Sequence, residues 1–256
     1  MSFETIDGED IFFSFSPSSA SALAFVLIHG AGGDHGHWPE ELRGSSLADV
    51  HGLDLPGHGH SAGGKGQVRV EAYADIVQAF VSQRRLKRVV HFGHSMGGAI
   101  AQHLALRHPD WLEALVLVGT GARLRVAPVI LEAALADTEA FLDLSLQYNF
   151  GPDANQDLIS RIRTGFAKTD PRVLHGDFCA CNEFDIMHSL DQINPPTLVV
   201  SATHDRLTPL KFGQYLHAHI TGARLYIIEN AGHMMALEKP GSFMAGVQAF
   251  IRERVM

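Results

Sequence analysis

The sequence predicts an α/β domain built on a doubly wound, mostly parallel sheet, with a helical insertion between two of its strands. Three observations carry that expectation. Ala22–Ile28, Leu112–Val118 and Thr197–Ser201 are apolar and β-branched runs of the kind that strands buried on both faces of a parallel sheet require. Segments of helical periodicity alternate with them, most clearly Val68–Arg85, where Val70, Tyr73, Ile76, Val77, Phe80 and Val81 fall three and four apart. Finally, Val89–Ile100 turns from strand to helix within Gly93-His94-Ser95-Met96-Gly97, a corner with a serine at its tip.

Taken in order, Phe3–Ile6 and Ile11–Phe15 read as short strands joined by the hairpin turn Asp7-Gly8-Glu9-Asp10. The strand Ala22–Ile28 ends in His29-Gly30-Ala31-Gly32-Gly33, whose glycines leave backbone N–H groups uncovered, as an anion-binding loop needs. Trp38-Pro39 and Glu40–Leu42 begin a short helix. Asp49–Leu53 is the next strand, and it leads into the turn cluster Asp54-Leu55-Pro56-Gly57-His58-Gly59-His60-Ser61, with Asp54 as a turn-capping residue. After the helix Val68–Arg85 comes the strand Leu86–Phe92, the serine corner, and a helix from Ala99 to about His108 before Pro109. Leu112–Val118 ends in Gly119-Thr120-Gly121, a strand end without a carboxylate.

From 122 to 190 the alternation stops. Helical patterns at 129–150, 155–168 and 171–188 fill the interval without a convincing strand, which divides the chain into core segments 1–121 and 191–256 and a cap insertion 122–190. The sheet resumes at Thr197–Ser201, followed by Ala202–Pro209, a helix at 210–220, the strand Arg224–Ile228, the loop Glu229–Met235 and a last helix at 240–255.

Composition narrows the function. The chain of 256 residues suits one large α/β domain. Its 20 Lys+Arg against 28 Asp+Glu give a net charge of −8 without a basic stripe, which argues against nucleic acid and anionic membrane surfaces as partners. The start MSFETIDGED lacks a basic, then apolar, secretory pattern, and no apolar run has the length of a membrane span. Cys179 and Cys181 are too close for an ordinary disulfide and lack C-x-x-C spacing, so two reduced thiols and a cytoplasmic protein are expected. Among 16 histidines, the pairs His35/His37 and His58/His60 invite a metal reading, but no H-E-x-x-H or matching acid or cysteine spacing accompanies them, and no metal is expected.

The chemistry gathers at strand ends, where ligands bind in such sheets. G-x-S-x-G between strand and helix is the nucleophile-elbow pattern, which lifts a serine hydroxyl above the sheet. A serine is barely nucleophilic at neutral pH and needs a histidine to take its proton, which in turn needs a carboxylate to orient it. His233 and Asp205 fit these roles, and Ser, Asp, His is the chain order of one known triad arrangement. An oxyanion requires donors: the Met96 N–H at the helix start is one, and the glycine loop, through Ala31, supplies the second.

With HGAGG at 29–33, DLPGHGHS at 54–61, GHSMGG at 93–98, HDRLTP at 204–209 and AGHMMALEKP at 231–240, the chain resembles the α/β-hydrolase superfamily, in its small, capped bacterial esterase-like branch. The resemblance spans essentially the whole chain. It implies an eight-stranded sheet, catalytic Ser95, Asp205 and His233, oxyanion donors Ala31 and Met96, and a cofactor-independent reaction. Haloalkane dehalogenases of the superfamily use an aspartate nucleophile, and Ser95 argues against that chemistry. Carbon–carbon hydrolases of ring-fission products often carry an aromatic residue after the catalytic histidine, where this chain has Met234-Met235.

The leading expectation is thus a serine hydrolase of small to medium carboxylic esters acting through an acyl-enzyme on a small-molecule ester or acyl substrate. The enzymatic alternative is carbon–carbon hydrolysis, with Arg123, Arg125, Arg161 or Arg163 holding a substrate carboxylate. A ligand receptor that keeps the triad without turnover is the alternative from another class. Oligomeric state is not readable from the sequence.

Overall fold

The apolar runs become the inner strands of one eight-stranded sheet, seen in a computed structural model that describes residues 2–18, 22–136 and 138–256. Its strands are β1 (Ser2–Ile6), β2 (Glu9–Ser16), β3 (Ala24–Ile28), β4 (Asp49–Leu53), β5 (Val89–His94), β6 (Leu112–Val118), β7 (Thr197–Ala202) and β8 (Arg224–Ile228). They lie in the order β1-β2-β4-β3-β5-β6-β7-β8. β2 is antiparallel to both its neighbours, and every other pair is parallel. Asp7 and Gly8, both at positive φ (51° and 84°), make the tight turn of the β1–β2 hairpin.

Helices α1 (Glu40–Arg43), α2 (Val70–Gln83) and α3 (Met96–Ala105) precede β6. Between β6 and β7 lie α4 (Pro128–Ala136), α5 (Thr138–Asn149), α6 (Gln156–Phe166) and α7 (Pro171–Glu183). α8 (Leu210–His219), α9 (Met235–Glu238) and α10 (Pro240–Arg254) follow. Strand alternation divides the core. Phe25, Leu27, Val90, Phe92 and Val116 face Trp38, Leu42 and the α10 residues Phe243, Val247 and Phe250. Val26, Ile28 and Val89 face the α2 and α3 residues Val77, Phe80, Ile100 and Leu104. Fully burying side chains of this size is worth about 1.5–3 kcal/mol each.

The segment after β6 is helical, as its periodicity predicts, with two corrections. The helix expected over 129–150 is two helices, and position 137 between them lies outside the described residues. The helix expected to reach 188 ends at Glu183, because Phe184 turns to extended backbone and Asp185 forms a β-bridge with Arg123. Asn155 and Asp170 cap α6 and α7 by accepting the N–H groups of Asp157 and Arg172, and Pro171 starts α7 where no N–H is needed. These helices share a core of Phe141, Leu142, Ile162, Phe166 and Leu174. They rest on the loops at the carboxyl ends of the strands: a Cβ on Gly32 would meet Leu174 and Phe166, and one on Gly232 would meet the Gly151 backbone.

A second group of corrections concerns the serine corner. β5 runs on to His94 and α3 begins at Met96, so strand and helix close directly on Ser95. The glycines that blur the helix signal, Gly97 and Gly98, sit in its first turn because other backbone and Thr120 press against them. At the other end β5 starts late, since Arg85 takes a left-handed turn (φ 54°).

Four histidines are buried in this core without the charge they carry in water. Burial alone pushes His91, on β5 beside Val26 and Leu115, down to about 3, and neither of its ring nitrogens has a partner among the described residues. His94 is likewise pushed down to about 3 and His29 and His51 to about 4, burial being the largest cause in each. In the unfolded chain these rings titrate near 6.5, so below that pH the unfolded state binds more protons and gains stability relative to the fold. The contribution of these four histidines is therefore complete above about pH 6.5 and declines as pH falls toward 3, by up to about 1.4 kcal/mol per pH unit for each. The urea midpoint is expected to drop between pH 7 and pH 5, with a shallower drop in His91→Leu; identical pH dependence in the two proteins would refute this account.

Candidate active site

β3 lies between β4 and β5, so the chain leaves it in opposite directions at the point where strand order reverses. Parallel register pairs Ile28 with Gly93, which sets the loop after β3 against the serine corner after β5. A Cβ on Gly30 would fall 3.1 Å from the Ser95 Cβ.

Ser95 holds a backbone conformation that L-residues rarely adopt, φ 52° and ψ −113°. Such strain costs on the order of 1–3 kcal/mol and persists only where neighbours over-determine it. Here the Ser95 N–H donates to Val118 O (2.9 Å), and the Ser95 carbonyl accepts from Gly98 N–H (2.9 Å) and from the Thr120 hydroxyl (2.8 Å). Backbone contact explains the flanking glycines: a Cβ on Gly93 would sit 2.2 Å from Gly97 O, and one on Gly97 would sit 2.3 Å from Ile28 O.

Asp205 and His233 come from the loops after β7 and β8. The His233 ring donates from Nδ1 to Asp205 Oδ2 (2.9 Å). Asp205 Oδ1 also accepts the N–H groups of Leu207 (2.9 Å) and Thr208 (2.8 Å), and Oδ2 accepts the Thr208 hydroxyl (2.7 Å). Burial pushes this carboxyl up, but the facing His233 ring and these donors outweigh it and hold Asp205 below the usual carboxylate range. Gly119, the strand end without a carboxylate, is where the pair needs room: a Cβ there would stand 3.3 Å from His233 Nδ1 and 3.4 Å from Asp205 Oδ2.

Ser95 and His233 meet as walls of one cavity of about 50 Å³, together with Gly30, Ala31, His94 and Phe178, and among the described residues no hydrogen bond joins the two. A second cavity, about 90 Å³, shares Ser95, Ala31, Phe178 and Leu207 with the first and continues along Leu124, Val126, Ala127 and Ile130. Ser95 thus stands between two lobes.

The glycine loop keeps one N–H open toward them. Gly33 N–H closes a turn onto Gly30 O (3.0 Å) and Gly32 N–H donates to Asp177 Oδ2 (2.9 Å). Among the described residues the N–H groups of Ala31 and Met96 have no acceptor. Ala31 lines both lobes and Met96 follows Ser95 in the chain, so a hydroxyl, the His233 ring and two open backbone N–H groups lie around one corner.

The other sequence candidates separate. Asp54 accepts the N–H groups of His35 (2.6 Å) and His60 (2.8 Å), as a turn cap does. The histidine pairs split: His35 and His60 meet at Asp54, His37 lines the Ser95 cavity, and His58 bonds to Asp177. His35, Asp54 and His60 could offer a metal one ligand atom each within 4.8 Å, but Asp54 is already engaged by two backbone N–H groups and the His35 ring. Of the four arginines, Arg125 lines the larger lobe, Arg161 lines a separate groove, Arg123 pairs with Asp185, and Arg163 pairs with Glu139 and Asp143. Cys179 and Cys181 are free thiols on α7. No helix among the described residues is long and apolar enough to cross a membrane.

Sequence reasoning overlooked several supports. His94 packs its ring on that of His233 (4.7 Å between centroids) and donates from Nε2 to the His233 carbonyl (3.0 Å). Glu238 accepts Gly232 N–H (2.9 Å) and Gly151 N–H (2.8 Å), tying the His233 loop to the helical layer. Both residues sit inside the quoted motifs, which was the signal available; Asp177 carried none.

A family model described as "Alpha/beta hydrolase family" matches residues 25–246. The pimeloyl-(acyl-carrier protein) methyl ester esterase of Neisseria meningitidis serogroup C is 33% identical over 244 residues, covering 88% of this chain and 92% of that relative. Among solved structures, a thermophilic esterase has a TM-score of 0.85 at 34% identity, over 99% of this chain and 98% of its own. The enol-lactonase from Burkholderia xenovorans has a TM-score of 0.92 at 27% identity, over 98% of this chain and 100% of its own.

The contact of Gly97 with the β3 end yields a test. In Gly97→Ala the new methyl group meets the backbone carbonyl groups of Ile28 and His29, so a loss of about 1–3 kcal/mol in urea unfolding is expected. Wild-type stability would show that α3 can retreat from the sheet without cost.

Proposed function

This chain belongs to the alpha/beta hydrolase family, and from that premise we propose that it is a serine hydrolase of carboxylic esters with small to medium acyl groups, working through an acyl-enzyme. Its end-to-end likeness to the meningococcal and thermophilic esterases makes it an ester-bond hydrolase. The observation that carries the finer reading is the meeting of Ser95, Ala31 and the Asp205-bonded His233 on one cavity, with the open N–H of Met96 next in the chain to Ser95.

In this reading Ser95 Oγ attacks the ester carbonyl as His233 Nε2 takes its proton, while Asp205 holds the imidazole in the Nδ1–H tautomer and stabilises its charged form. The N–H groups of Ala31 and Met96 receive the negative oxygen. His233 then protonates the leaving alcohol, and in the second half activates water to release the acid and free Ser95. Because the leaving oxygen must lie at His233, the alcohol occupies the lobe of about 50 Å³ that His233 lines, and the acyl group takes the apolar lobe of about 90 Å³. Small alcohols and short to medium acyl chains fit that division.

Residues 122–190 act as a helical cap on core segments 1–121 and 191–256, with Phe166 and Phe178 of α6 and α7 closing the His233 lobe. The free thiols Cys179 and Cys181 support a reducing, cytoplasmic setting. One observation favours a second reading, carbon–carbon hydrolysis of a ring-fission acid: Arg125 reaches the lobe beside Ser95 and could hold a carboxylate.

The test is acid release from methyl esters of increasing acyl length and from butyrate esters of increasing alcohol length, with a ring-fission acid alongside. We expect kcat/KM to fall at least about tenfold from methyl to butyl butyrate. Ser95→Ala is expected to lose about 10⁶-fold in kcat and Asp205→Asn about 10⁴-fold with the fold retained. Full turnover by Ser95→Ala would sink the mechanism, and turnover of the ring-fission acid alone would transfer the assignment to the second reading.

A further inference from the structure

Asp177 is fully buried on α7, and three donors from the core converge on its carboxylate. His58 Nε2–H reaches Oδ2 at 2.8 Å, Gly32 N–H reaches Oδ2 at 2.9 Å, and the Tyr73 hydroxyl reaches Oδ1 at 2.6 Å. The other His58 nitrogen, Nδ1, faces the Pro56 carbonyl at 3.0 Å. Both ring nitrogens therefore face oxygens that only accept, so the ring carries two N–H groups and a positive charge. Burial opposes that charge, but the Asp177 carboxylate outweighs it and holds His58 above its ordinary value. A charge pair so buried is tolerable only when its hydrogen bonds are satisfied, as these are.

Neither member of the pair lines the two lobes at Ser95. What the pair touches is the turn Gly30-Ala31-Gly32-Gly33. Closed by Gly33 N–H onto Gly30 O at 3.0 Å, with Gly32 at φ 66°, this turn has the left-handed third residue of the type II form. Types I and II differ by a flip of the central peptide, here the one between Ala31 and Gly32. Its N–H is the group that Asp177 accepts, and the next peptide is held by the Thr169 hydroxyl on Gly32 O (3.4 Å). A flipped peptide would turn the Ala31 carbonyl oxygen onto the carboxylate, which repels it.

We propose that Asp177 is a positioning residue for acyl transfer: the buried His58–Asp177 pair anchors the whole Gly30–Gly33 turn through the Gly32 N–H and thereby keeps the Ala31 N–H, with that of Met96, in place for the developing oxyanion. The inference rests on the ester-hydrolase reading of Ser95, Ala31 and Met96 above. It gives the helical layer a chemical task, since α7 supplies the acceptor and the core supplies all three donors.

Asp177→Asn keeps the shape and removes the charge. Expected are a kcat lower by about 10–100-fold, less than the full loss of an oxyanion donor, a KM within about threefold of wild type, and affinity for a short-chain trifluoromethyl ketone reduced by the same factor as kcat/KM. Titration of Ser95 with a fluorophosphonate normalises each rate to the fraction of active enzyme, so that partial unfolding does not imitate the effect. Unchanged kcat, or a rate loss without loss of affinity for the ketone, would overturn the proposal. Should Asp177→Asn not fold, Tyr73→Phe removes one donor and leaves the charge; the ketone affinity relative to KM is then expected to drop at least threefold, and an unchanged ratio counts against the proposal. Ser95→Ala in parallel separates the two levels: turnover surviving there defeats the underlying mechanism, whereas a dead Ser95→Ala beside a wild-type Asp177→Asn defeats only the role of Asp177.

Discussion

The structure turns on the close approach of backbone to backbone at the end of β5. A serine at φ 52° cannot hold itself there; it is held because Val118, Gly98 and Thr120 saturate its peptide groups. That requires α3 to begin against the β3 end, which only glycines at 97 and 98 permit. The same approach brings the Gly30–Gly33 turn beside the hydroxyl. One steric constraint thus selects the glycines, the helix start, the order of strands and the place where chemistry can occur.

Charge is distributed around that corner with opposite solutions at neighbouring histidines. His94 carries no acceptor pair able to stabilise a proton, and burial with the adjacent His233 ring keeps it neutral, so it serves as a hydrogen-bond donor to the His233 backbone. His58 faces a carbonyl and a carboxylate and keeps its proton at equal depth. Asp205 stays ionised because four groups donate to it or face it with positive potential. In each case the partners decide the charge, and burial sets how strongly they must act.

Much of this was legible in the sequence, for reasons that differ by residue. Ser95, Asp205 and His233 stand at strand ends, and strand ends are readable because buried strands announce themselves by apolar runs; the structure brings their loops together. The glycine motifs were legible because they mark close approach. The regrouping of His35 and His60 around Asp54 was not, since spacing along a glycine-rich loop says nothing of which turns it makes. Nor was the split of 129–150 into two helices or the end of α7 at Glu183, where a tertiary bridge between Arg123 and Asp185 overrides local periodicity. Asp177 is the extreme case: its partner Gly32 lies 145 residues away, and its own helix reads as ordinary.

That separation bears on how the helical layer relates to the sheet. Three of the contacts between layer and core are Leu174 and Phe166 against Gly32, Glu238 bridging Gly151 and Gly232, and Asp177 among His58, Tyr73 and Gly32. All three fall on loops that carry groups facing Ser95. An apolar contact alone would let α7 slide, because packing is non-directional. Hydrogen bonds that a buried carboxylate accepts from three different core segments fix both distance and angle. The helices over the sheet therefore differ in bonding: α7 is joined to the core through charge and direction and α5 through its Asn149 and Gln147 carbonyls, which accept from Met234 N–H and Arg206, while α4 packs through the apolar Ile130, Ala133 and Ala134. Variation in α4 can reshape the lobe of about 90 Å³ that Ile130 lines without touching the bonds that fix the turn beside Ser95, so the corner can be kept while the pocket above it changes.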